Sequence, residues 1–204
     1  MNLEEEIIQA ISISLVVVTF LSNTGRALKA IELCKENLVL LSDKALSIEK
    51  QLGQLILKKI YNIMLKAYRR VSDYTNVIAY GRKLLAIYRE RGDTVEEGEL
   101  SIVLALTYES QSMYADAKEL YERAITIMRK TGNRGGESIA YGGLGTVFPS
   151  LGKYVKAREY CEKALAISME ISDRAGEKAC YGNLGNVFSP ALSPISMLIA
   201  SAFS

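Results

Sequence analysis

The sequence has no histidine and no tryptophan, and only three cysteines and three prolines in 204 residues. Without His, the commonest general base and the commonest zinc ligand are missing. Cys34, Cys161 and Cys180 are odd in number, widely spaced and form no C-x-x-C pair, so they read as small core residues of a reduced, cytoplasmic protein. Charge of one sign is also not concentrated. The chain carries 25 Lys and Arg against 23 Asp and Glu, a net charge of +2, and basic pairs such as Lys58-Lys59 and Arg69-Arg70 are scattered. No basic stripe offers itself to a phosphate backbone, which argues against nucleic acid as a partner.

Long apolar runs are scarce too. The single candidate, Ile7 to Leu21 (IIQAISISLVVVTFL), follows Glu4-Glu5-Glu6 instead of a basic region and contains Gln9, Ser12, Ser14 and Thr19. It is expected to be a buried helix and not a signal or a membrane anchor. With 49% apolar and 24% charged residues, the chain can build an ordinary globular core.

Catalytic signatures do not emerge. The glycines of YGGLGTVF fail the dinucleotide pattern, because Phe148 stands where a third Gly is needed, and fail the P-loop because of Val147 and Tyr154. Cys161 has no His to activate it, and Glu4 to Glu6, Glu159 and Glu162 read as solvated helix faces. An enzyme is not expected, nor a cofactor, a metal or a small-molecule substrate.

What the sequence does have is repetition. A shift of forty residues lays GNRGGESIAYGGLGTVF (132–148) over SDRAGEKACYGNLGNVF (172–188). Going backwards, Tyr154 falls on Tyr114 and Tyr74, Ala157 on Ala117 and Val77, and Gly132 on Gly92. GRALKAIELCKENLVLL (25–41) matches GKYVKAREYCEKALAI (152–167) at an offset of 127, three periods plus seven residues. The extra heptad is expected around Ser42 to Lys50, lengthening the second helix of the first repeat. Four full repeats and a partial fifth result.

A forty-residue period also fits HEAT-type arrays or propeller blades, but the spacing here is helical and Trp is absent. Tyr141, Leu144, Gly145, Phe148, Ala157, Cys161 and Ala164 have a spacing that resembles the tetratricopeptide repeat (TPR). Leu104, Ala105, Tyr108, Ala117, Tyr121 and Ala124 keep it, and Tyr61, Met64, Leu65, Tyr68, Val77 and Leu84 keep it loosely. The common TPR has 34 residues. The six further residues fall after Ala164, in the extended helix end AISMEI and the linker SDRAGE. With YGNLGNVF and EKALAI, the repeats look like those of the LGN/Pins type of G-protein-signalling modulators and related animal TPR scaffolds.

The resemblance implies an all-α fold, a right-handed α-solenoid of antiparallel helix pairs over 1–188. Helices are expected near 4–22, 26–51, 55–71, 74–91, 95–111, 114–131, 135–150, 154–171 and 175–188, with Pro149 ending or bending its helix a turn early. It explains the glycines as well: Gly145 and Gly185, like Ala105, fill the small-residue place at a helix crossing, while Gly142 and Gly182 lean toward the concave surface and widen it. The tail 189–204 (PALSPISMLIASAFS follows Ser189) breaks the pattern at Pro190 and Pro194. It either folds back as an apolar cap or is a truncated or misread product, and its lack of charge favours the second.

A TPR array implies a binding surface for a protein or peptide partner, lined by the first helices. In LGN/Pins-like repeats the Asn residues of NLGN line the groove, and Asn183 and Asn186 match those places. The corresponding pairs are Gly143 and Thr146, Val103 and Leu106, Ile63 and Lys66, and Val16 and Thr19, so the polar ladder is mostly replaced by apolar groups. The expected function is a non-catalytic interaction scaffold; a membrane-associated adaptor using the apolar termini, or a repeat fragment with no private ligand, are the alternatives.

Overall fold

The computed structural model of the protein describes residues 3–42 and 50–187. These form α1 (Leu3–Asn23), α2 (Ala27–Ser42), α3 (Lys50–Arg70), α4 (Tyr74–Arg91), α5 (Thr94–Ser110), α6 (Tyr114–Thr131), α7 (Arg134–Ser150) and α8 (Tyr154–Glu170), followed by α9 (174–187). There is no strand among the described residues. The fold is all-α.

The turns show why the period is forty. Ser72, Gly92, Ser112, Gly132, Gly152 and Ser172, each twenty residues after the last, all take a positive φ. Each closes a helix with the same pair of bonds. At Gly132, for example, the amide of Gly132 donates to the Arg129 carbonyl at 3.3 Å and that of Asn133 to the Met128 carbonyl at 2.9 Å. This is the Schellman motif, in which a left-handed residue satisfies carbonyls the helix leaves unpaired. The repeat is thus two half-repeats of equal length, a helix of 17 or 18 residues and a tight reversal that makes sequential helices antiparallel. Gly25, with φ of 82°, turns the chain between α1 and α2, where the Arg26 amide donates to the Leu21 carbonyl at 2.9 Å.

The chain divides into two compact units, Met1–Asp93 and Thr94–Ser204. Within each, every helix packs on the next, and the first helix of one repeat also meets the first helix of the following one, α1 with α3 and α5 with α7. That is the contact pattern of a solenoid. In the first unit Ile11, Val18, Ala30, Cys34, Ile60, Met64, Val77 and Leu84 are fully buried. The second unit's core holds Leu104, Ala105, Tyr108, Ala117, Tyr121, Ala124, Leu144, Ala157, Cys161 and Ala164, the residues whose spacing marked the repeat.

Three expectations need correction. The helix expected from 55 is already formed at Lys50; α2 is described as far as Ser42, and the heptad expected around Ser42 to Lys50 falls on residues 43–49, which lie outside the described residues. Pro149 does not shorten α7, which ends at Ser150, forty residues after the end of α5 at Ser110. Proline sits in the last turn, so only the one bond its absent N–H would give to the Gly145 carbonyl is lost, while the bonds from Leu151, Gly152 and Lys153 to the carbonyls of Phe148 and Pro149 still close the helix. Finally, α1 is buried on one face only. Ile11, Leu15, Val18 and Leu21 are buried, whereas Ile13, Val16, Val17 and Phe20 are exposed. By length and composition its span Glu5–Asn23 suffices to cross a membrane. The tail expected at 189–204 lies outside the described residues, as does Phe188.

Candidate functional site

In the second unit the first helices α5, α7 and α9 border a cleft of about 260 Å³. Its geometry follows from glycines. Gly143 is buried with the ring of Tyr121 from α6 on its backbone; a Cβ there would come within 2.2 Å of the ring. Gly145, two residues further along the helix, meets α8 so closely that a Cβ would stand 2.3 Å from Cys161 Sγ. Gly142 faces the cleft, where an added Cβ would meet only Asn183 Nδ2 at 3.9 Å. One short run of glycines therefore serves two crossings and one open surface. Their cost in helix propensity, roughly 1 kcal/mol each, is offset by packing at the crossings.

The polar groups around the cleft are mostly tied down. Tyr121 donates its hydroxyl to Glu109 Oε2 at 2.9 Å, and burial, with the adjacent Glu109 carboxylate, holds the phenol well above its ordinary pKa, so it stays a neutral donor. Ser138 Oγ donates to the Ala164 carbonyl at 2.9 Å and lies 2.8 Å from Ser168 Oγ. Thr146 Oγ1 donates to the Gly143 carbonyl at 2.8 Å. Asp173 receives the Ala175 amide at 3.1 Å at the start of α9. No hydrogen bond joins Asn183 to another described residue, which leaves its amide at the cleft wall. Leu106 and Ile139 are exposed on the rim.

Of the residues expected to line a groove, Leu106, Gly143, Thr146 and Asn183 come together around this cleft. Val103 is half-buried and Asn186 exposed, on the same helices but outside the lining. Ile63, half-buried, and Lys66, exposed, stand on α3 in the first unit, as Val16 and Thr19 stand exposed on α1. Ile139, Ala179, Ser138, Glu109 and Cys180 line the cleft without having been singled out. Ile139 and Ala179 were within reach of the repeat register: they are forty residues apart and one helical turn before Gly143 and Asn183 on the same face. Of the glycines expected at crossings, Gly185 has no described atom within 4 Å, and the residues after 187 lie outside the described ones.

A second depression of about 530 Å³ lies over α5 and α6. Its central charges are consumed internally, since Arg123 Nη2 lies 2.5 Å from Glu97 Oε1. Forty residues on, Glu137 is buried between Arg129 Nε at 2.8 Å and Arg134 Nη1 at 2.5 Å, and Arg134 also pairs with Glu170. These arginines neutralise buried carboxylates at corresponding places of successive repeats, a structural task. Burial pushes the thiol of Cys34 up to about 12 and that of Cys161 up to about 11, with Cys180 and Glu162 adding to the second. Neither is a ready nucleophile. No cluster of metal-ligating side chains occurs among the described residues.

No protein-family model and no curated protein matches the chain. Solved structures do. A signal-transduction ATPase with a tetratricopeptide repeat sensor, from Pyrococcus horikoshii, superposes with a TM-score of 0.74 at 19% identity, over 97% of this chain and 31% of its own. The apo form of RapI does so with a TM-score of 0.74 at 16% identity, over 91% of this chain and 50% of its own. A Podosopora anserina protein with nearly identical TPR-like repeats gives 0.66 at 15% identity, over 98% of this chain and 94% of its own. The chain thus spans about a third of the ATPase and half of RapI. At such identities the likeness carries the fold alone. That fold, reached independently by register, turns and superposition, is the helical-repeat solenoid of TPR-type proteins.

Proposed function

We propose that the chain is a non-catalytic interaction scaffold that holds a segment of a protein partner, extended or helical, in the cleft bordered by α5, α7 and α9. The observation that carries this reading is the pairing of exposed apolar Leu106 and Ile139 with a floor opened by Gly142 and an amide, Asn183, at its wall. Apolar anchors of the ligand would bury against the two side chains, and Asn183 would satisfy a backbone group at one end. The hydroxyls of Ser138 and Thr146 are already bonded within the protein, so covering them costs little desolvation, while the Glu109 and Asp173 carboxylates are each held through one oxygen. The Asn residues suggested by LGN/Pins-like repeats contribute here only through Asn183; the surface is more apolar than that resemblance implies.

The test starts from a peptide selected from a displayed library against the full chain. Leu106→Glu would bury a charge against an apolar anchor and should weaken the selected peptide by roughly tenfold or more. The exposed Glu119→Lys, on α6, should leave its affinity unchanged. Equal affinity of both variants for the peptide would refute the cleft as the binding surface.

A further inference from the structure

Two periods of the repeat carry Lys58 onto Ser138 and Asp93 onto Asp173. In the first unit this place is filled from within. Lys58 on α3 donates to Asp93 Oδ2 at 2.8 Å, and Arg91 Nε lies 3.4 Å from the same oxygen. The ammonium of Lys58 stands 5.0 Å from the centre of the Tyr88 ring, and Asn62 Nδ2 donates to the Tyr88 hydroxyl at 3.0 Å. The hydrogen bond from Lys58 holds the Asp93 carboxyl below the usual carboxylate range. A lysine, a tyrosine and an asparagine thus occupy the space beside the aspartate.

In the second unit the same places hold Ser138 for Lys58, Ser168 for Tyr88, Gly142 for Asn62 and Ile171 for Arg91. Only the aspartate is kept, and its setting is kept with it. Asp173, like Asp93, follows a left-handed residue, and its amide donates to the Ser168 carbonyl at 2.8 Å as that of Asp93 donates to the Tyr88 carbonyl at 2.9 Å. Ser138, Gly142 and Asp173 line the cleft, which therefore opens where the first unit places its lysine. Asp173 receives the Ala175 amide on Oδ1, and among the described residues no ion pair engages Oδ2. The other charged group of the lining, Glu109, is also a carboxylate, and the lining contains no Lys or Arg. Residues 188–204 contain neither as well, so that segment of the chain has no cation to offer. Two carboxylates without a counter-ion favour a cationic ligand and oppose the anionic head groups of a lipid surface.

Resting on the reading of the cleft as the binding surface, we propose that its ligand is a segment of a partner protein that inserts a lysine beside its apolar anchors, the ammonium meeting Asp173 as Lys58 meets Asp93. The lysine stem would lie along Ile139, since such stems cover apolar surface while the charged head stays with its partner. The probes are peptides selected from a displayed random library against the full chain and, separately, against the Asp173→Asn chain. Asparagine keeps the start of α9 capped, because Asn133 at the equivalent place accepts the Gly136 amide at 2.9 Å; circular dichroism will register an unchanged fold. Peptides selected on the parent chain should be enriched in lysine at one position, and those selected on the variant should not. The best parent peptide should bind Asp173→Asn about tenfold more weakly, and the same peptide with norleucine for that lysine should bind both chains equally. Peptides that Leu106→Glu weakens, but that lack the lysine or bind Asp173→Asn with undiminished affinity, overturn this inference and leave the cleft standing as the binding surface. Peptides indifferent to Leu106→Glu overturn both. Sedimentation of the chain alone as a dimer that Asp173→Asn dissociates would make the occupant a second copy, and equally overturns the proposal.

Discussion

The two units fill the same crossing from opposite sides. In Thr94–Ser204, where α5 crosses α6, the first helix supplies the small Ala105 and the second the large Tyr121; where α7 crosses α8, Gly145 meets Cys161. In Met1–Asp93 the register reverses the sizes, placing Leu65 on α3 opposite Gly81 on α4, both buried. The repeat keeps roughly constant the volume at the crossing, while either helix may be the one that supplies it. Tyr121 pushes this furthest, since its ring also lies on Gly143 and its hydroxyl reaches Glu109.

The largest effect should come from breaking that arrangement. Tyr121→Ala should cost about 3–5 kcal/mol by emptying a fully buried site, and Gly143→Val about 3 kcal/mol by driving a side chain into the ring. Combined, the two should cost clearly less than their sum, because valine refills space the ring has left. Urea unfolding of the four proteins gives the cycle, and strict additivity would show that the ring and residue 143 do not share one space.

At the next crossing the effect is smaller. Ala157 is fully buried where α8 faces α7, and Arg158 is exposed with only a 3.4 Å pair to Glu162. Ala157→Leu should cost about 1–3 kcal/mol by overpacking, Arg158→Leu no more than about 0.5 kcal/mol. Equal midpoints for these variants would mean that the register of the second unit is misplaced.

The turns offer a finer comparison. Gly132 and Ser112 occupy equivalent left-handed places with φ of 71° and 58°. Gly132→Ala should lose about 1 kcal/mol to backbone strain, whereas Ser112→Gly relieves strain and should gain up to about 1 kcal/mol after the entropy cost of glycine. Thermal melts of the pair should therefore move in opposite directions.

Smallest and most gradual is the response to pH. The thiols of Cys34 and Cys161 rise from an ordinary 9.0 to about 12 and about 11. Because the folded values are raised, the stabilisation is whole below pH 9 and is lost as pH climbs through 11 to 12. Urea midpoints should decline over that window, and Cys34→Ala should flatten the decline at its upper end.

Much of the fold was legible because the repeat is read by local rules. Gly92, Gly132 and Gly152 mark left-handed turns in any sequence, and the forty-residue register carries those turns onto Ser72, Ser112 and Ser172, where serine alone would not reveal them. The seven anchors from Tyr141 to Ala164 are all buried. The site was legible in part. The resemblance to LGN/Pins-like repeats, carried along the forty-residue register, led to Leu106, Thr146 and Asn183, but Ile139 was passed over, because a single exposed isoleucine on a helix has no distinctive local signal.

The sequence by itself determined the all-helical repeat, its period, its turns and the burial of its anchors, since each depends on backbone conformation and on contacts between neighbouring segments. Only the tertiary structure decided which glycine faced what: Gly142 toward a cleft, Gly143 under a tyrosine ring, Gly145 against a cysteine. It also decided that Ile13, Val16, Val17 and Phe20 lie open while Ile11, Leu15, Val18 and Leu21 of the same helix are buried. Periodicity states which residues share a face of a helix. Whether that face is buried depends on the presence of another helix against it, which a pattern within one helix cannot encode.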